Sequence, residues 1–148
     1  MLNVGYAIAG GVFMVGMTLF AFLKGGIREK IGAGVYIAAW FGSLVAQENL
    51  GFRDWPYSLF AIDTATLVVF VAIAWRSPHA WPTWAAGLQL IAVMGHIMIM
   101  TTNKAPTTSI YTAMNLIGYL IIACIGVGTF WVWQDRKAAT EYAERTIR

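Results

Sequence analysis

Six side chains stand where their chemistry is out of keeping with their surroundings: Glu48, Asp63, Gln89, His96, Tyr111 and Asn115. Each lies within or at the end of a stretch dominated by apolar residues. A polar group taken out of water must find a hydrogen-bond partner, and a charge needs one more urgently. A carboxylate and an imidazole held together can share a proton or accept one from a ligand. Spacing indicates which groups share a face. Ala85, Gln89, Ala92 and His96 follow a four-three-four rhythm, which places them in line on one side of a helix. Tyr111, Asn115, Gly118, Tyr119 and Ile122 form a similar line further on.

The elements that must position these groups are apolar spans. Hydrophobic residues make up 59% of the 148-residue chain and charged residues 11%, under half the charge expected of a soluble domain. A membrane-crossing helix needs roughly 20 apolar residues. Five stretches meet or approach that: residues 2–23, 33–52, 57–75, 81–100 and 110–133. Glycine, proline and charge interrupt them at Lys24-Gly25-Gly26, at Arg53 to Pro56, at Arg76 to His79, and around Lys104 and Pro106. The predicted fold is all-α, a polytopic membrane bundle of five transmembrane helices. Residues 1–133 form its single domain, and residues 134–148 a short charged tail that extends the fifth helix into solvent. The first stretch has no basic residue before Lys24, so it reads as a retained helix rather than a cleaved leader.

Basic residues set the direction. Five spans put Lys24, Arg28, Lys30, Arg76, Arg136, Lys137, Arg145 and Arg148 on one face, against Arg53 and Lys104 on the other. The richer face is expected to be cytoplasmic, with the N-terminus outside, the C-terminus inside, and a bacterial inner membrane as the setting. Trp75, Trp81, Trp84, Trp131 and Trp133 then fall at the cytoplasmic boundary as an aromatic belt. In the same frame Asp63 lies about 9 Å below Tyr57 at 1.5 Å per residue, His96 one turn from the outer end of its helix, and Glu48 at the outer end of the second. The polar groups thus gather in the outer half, with Gln89 nearest the middle. Asp63 is expected to hydrogen-bond His96, directly or through water, with Asn115 or Glu48 completing its surroundings. Gly34, Ala38, Gly42 and Ala46, one small residue per turn, are the expected helix-packing face of the second span.

What the sequence lacks narrows function. There is no HExxH, GxSx or GxGD-like motif, and the single cysteine, Cys124, supplies neither a disulfide nor a dithiol site. No catalytic residue and no metal site is expected. No soluble domain and no nucleic-acid surface is expected either. The leading expectation is a non-catalytic accessory or assembly subunit of a larger membrane complex, in contact with lipid and with other subunits or copies of itself. A second is a small oligomeric transporter or permeation protein using the outer polar site. A third is a haem or chlorophyll-type pigment held by His96, with Ala92 and Gly95 admitting a flat macrocycle.

Overall fold

The computed structural model describes residues 2–49, 55–102 and 108–147; the side chains of 2–7, 47–49, 55–56, 108, 111 and 147 are not described. It consists of five helices: α1 (Leu2–Lys24), α2 (Ile27–Asn49), α3 (Trp55–Arg76), α4 (Trp81–Thr101) and α5 (Thr108–Ile147). Each helix packs on the next in sequence, α5 closes on α1, and α2 also meets α5. The bundle is therefore a ring in chain order. Three segments, Tyr57–Arg76, Trp81–Thr101 and Thr112–Thr146, are long and apolar enough to cross a membrane, while the described apolar part of α1, Ile8–Lys24, is shorter.

The turns follow from local chemistry. Between α1 and α2 there is room for two glycines only. A β-carbon on Gly25 would run into the Ala21 carbonyl oxygen, to which the Gly25 N–H is bonded at 2.9 Å. Gly26 then acts as the cap of α2: Glu29, three residues on, turns back to accept its N–H at 2.9 Å. That is the glutamate half of a capping box, which satisfies a donor the helix start would otherwise leave open. Helix α4 has no side-chain cap, but Pro82 lies in its first turn, where a fixed φ favours helix initiation and no N–H is needed.

Because lipid is as apolar as leucine, tight fit rather than water exclusion drives helices together in a membrane. Fit is visible at Trp81, which is 1% exposed. Gly128 leaves the space its indole fills, since a β-carbon there would overlap the ring, and Gly32 is cut away beneath its far edge. The indole N–H donates to Glu29 at 2.8 Å. Trp81 is thus a core residue, not part of the boundary belt in which the sequence placed it. Two glycine notches and a buried acceptor outweigh the headgroup zone. Trp75 and Trp84 do face outward. Around Trp81 pack Phe70, Ala21, Ala33, Ala85, Ile121, Ile122 and Ile125, a layer that closes the middle of the bundle.

The small-residue stripe expected as the packing face of α2 divides between two neighbouring helices. Gly34 faces Phe22 of α1, Gly42 faces Ile62 of α3, Ala38 is exposed, and only Ala46 is buried. A four-residue repeat advances by about 40° per step on a 3.6-residue helix. Over three steps the stripe winds from one neighbour towards the other, so no single face contains it. The inward face of α2 is Glu29, Gly32, Ala33 and Tyr36.

Candidate functional site

A cavity of about 280 Å³ opens on the other side of that layer, and all five helices contribute to its wall. Asp63 comes from α3, and Gln89 and His96 from α4. The four-three-four face of α4 is its buried one, with Ala85, Gln89, Ala92 and His96 all inward. Helix α5 adds Asn115, Gly118 and Tyr119, and α2 adds Tyr36, Trp40 and Ser43.

Asp63 is the centre of the polar wall. Its Oδ2 lies 2.7 Å from Nε2 of His96, and its Oδ1 accepts the Gln89 side-chain amide at 2.9 Å. The same amide reaches the Asp63 backbone oxygen at 3.2 Å. Gln89 therefore completes the surroundings for which Asn115 or Glu48 was expected. Asn115 lies on the cavity wall, and the side chains of Glu48 and Tyr111 lie outside the described residues. With a proton on Nε2, the imidazole donates to the carboxylate and offers Nδ1 as an acceptor. Among the described residues Nδ1 has no hydrogen-bond partner. This is the geometry in which a carboxylate fixes the orientation and tautomer of an imidazole.

The rest of the wall is amphipathic. The Tyr36 hydroxyl donates to the Gly118 carbonyl at 3.1 Å, and the Ser43 hydroxyl to Ala39 at 2.8 Å. Trp40, Met14, Met114 and Leu59 supply the apolar part. The Tyr119 hydroxyl end lies on Gly10, with its ring edge-on to Phe13 at 6.5 Å. Sequence reasoning missed Tyr36, Trp40 and Ser43. Their i, i+4, i+7 spacing was the available signal, obscured by the small-residue stripe that runs beside it.

Two other expectations can be placed. A macrocycle was to slide past Gly95, but Met114 fills that notch, 3.5 Å from where a β-carbon would stand. Nε2 of His96 is also already committed to Asp63. The residues present do not shape a slot for a haem. Among the described residues no third His, Cys, Asp or Glu joins the pair to complete a metal-binding group. At the far end, His79 pairs with Asp135 at 3.3 Å, and Glu29, to which the sequence assigned no role, is buried between Gly26 and Trp81. Comparison of the chain with protein-family models, curated proteins and solved structures finds no match in any of the three.

Proposed function

We propose that this chain is a five-span protein of a bacterial inner membrane, N-terminus outside and C-terminus cytoplasmic, acting as a small carrier or permeation protein whose outer-half cavity takes a hydrogen-bonding solute. The observation that carries the reading is the Asp63–His96–Gln89 network on the wall of a cavity of about 280 Å³. Hydrogen bonds that only fix helix register need no open space beside them. Here a carboxylate, an imidazole and an amide border such a space, and aromatic and thioether groups wall the remainder. The apolar layer at Phe70, Trp81 and Ile125 closes the opposite side, so the site is a one-sided pocket and not a through-pore.

All five helices support the span count, because each turns large apolar side chains outward: Val12, Phe41, Val68, Ile91 and Leu116 are at least half exposed. In water such a surface would aggregate; in hydrocarbon it is the normal exterior. The accessory or assembly role rests on missing catalytic motifs and missing soluble domains, and among the described residues no surface singles out a partner for it.

The test is thermal unfolding of the detergent-purified chain against amino acids, short organic acids, polyols and quinol analogues. Exchange in proteoliposomes follows for the solute that stabilises most. The expected result is a stabilising solute whose effect and exchange are lost in Asp63→Asn and His96→Ala, with circular dichroism unchanged. Equal stabilisation of the variants would overturn the reading. So would recovery of the chain in a larger membrane complex with no response to any solute, which is the accessory outcome.

A further inference from the structure

We infer that the end of the bundle opposite the cavity binds one anionic phospholipid, with its phosphate held by Lys24, Arg136 and Lys137 beside Trp133. Two ammonium groups from different helices converge on a single indole: Nζ of Lys24 lies 5.7 Å from the Trp133 ring centroid, and Nζ of Lys137 lies 5.3 Å from it. Attraction to the ring's negative face holds each cation there, but it does not neutralise either. Beside the ring, Trp133, Arg136, Lys137, Thr140 and Glu141 line a shallow hollow of about 310 Å³.

Local acids compensate that charge only in part. Glu29 accepts from the neutral N–H groups of Trp81 and Gly26 and lies near Arg136 across Gly26, while Asp135 pairs with His79. Among the described residues, neither lysine nor Arg136 has a carboxylate within salt-bridge reach. Glu141 is the one acid on the hollow. Lys24, Arg136 and Lys137 against Glu141 and the nearby Glu29 leave one positive charge in excess, which favours a singly charged phosphodiester. Thr140 already donates its hydroxyl to the Arg136 carbonyl, so the lysines and the arginine are the donors.

A lipid is favoured over a soluble phosphate by what lies below the cations. Phe130 meets Trp133 edge-on at 6.1 Å. Phe130 and Val127, one turn apart on α5, are 44% and 47% exposed, and Leu23, beside Lys24, is 77% exposed. The cationic hollow thus runs directly into an apolar surface along which acyl chains can lie, and basic pockets between helices at the membrane boundary are the usual anionic-headgroup sites.

The experiment is native mass spectrometry of the purified chain with equimolar phosphatidylglycerol and phosphatidylcholine of identical acyl chains. Phosphatidylglycerol should be retained in preference. The Lys24→Gln/Lys137→Gln variant should weaken that binding by about fivefold per lysine. Both lysines are exposed, so the fold should survive, as circular dichroism would report; Lys137→Glu alone is a second variant expected to abolish the preference. Inorganic phosphate at millimolar concentration should not displace the lipid. Equal retention of the two lipids, undiminished binding in the variants, or displacement by phosphate would each overturn the assignment. His96→Ala should leave lipid retention intact, so this site and the solute site fail or stand separately.

Discussion

At the residue scale, Asp63 matters because both its oxygens accept hydrogen bonds from another helix. Replacing it with leucine leaves the Gln89 amide and the His96 ring nitrogen facing a methyl group, and each unpaired donor costs about 1–3 kcal/mol. Asp63→Leu should therefore lower the unfolding temperature in detergent substantially. Asp63→Asn should lower it little, because the amide keeps one acceptor for Gln89 and its NH2 can donate to an imidazole in the other tautomer. Equal losses from the two substitutions would mean that charge, not acceptor count, holds α3 to α4. Asn at this position thus separates fold from function: it spares the hydrogen bonds and removes the carboxylate.

At the element scale, the glycines of α2 and α5 differ in what stands opposite them. A β-carbon on Gly42 would meet the end of Ile62 at 3.6 Å, an ordinary contact, whereas one on Gly128 would overlap the Trp81 ring. That ring cannot retreat, being fully buried and tied to Glu29. Gly42→Ala should be near neutral in thermal stability, and Gly128→Ala should cost about 1–3 kcal/mol, the usual range for overpacking. Similar behaviour of the two variants would mean that Trp81 has another rotamer open to it. Helix α5 shows the other kind of departure from a simple span. Its 40 residues make a rod of about 60 Å at 1.5 Å per residue, twice the hydrocarbon thickness. Residues 134–146 are exposed throughout.

For the whole molecule, the question is which end faces the cytoplasm. Lys24 with Trp133, Glu29 with Trp81, and His79 with Asp135 bring the α1–α2 turn, the α3–α4 turn and the α5 extension to one end of the bundle. Most of the basic residues lie in those segments. A reporter fused after Arg148 should be cytoplasmic, and one inserted at Lys104 should report the opposite side. The same side for both would refute five spans. The two proposed sites lie on opposite sides of the buried middle layer, so substitution at one should leave binding at the other unchanged.

The helices, their order and the inward phase of α4 were legible in the sequence alone, because hydropathy and 3.6-residue spacing are properties of contiguous residues. So was the expectation that Asp63 and His96 would meet, since an anion among apolar groups has few places to go. Three things were decided only by the tertiary structure. Gln89 became the partner of Asp63 through the reach and rotation of two helices against each other, which no single helix encodes. Trp81 left the boundary for the core because glycines 49 and 47 positions away in either direction along the chain cut a slot of its shape. Glu29, one acid among the basic residues of a turn, became a buried acceptor once α4 delivered an indole to it. In each case the deciding contact joins residues far apart in the chain, and fit between them is a property of the packed bundle rather than of any segment's composition.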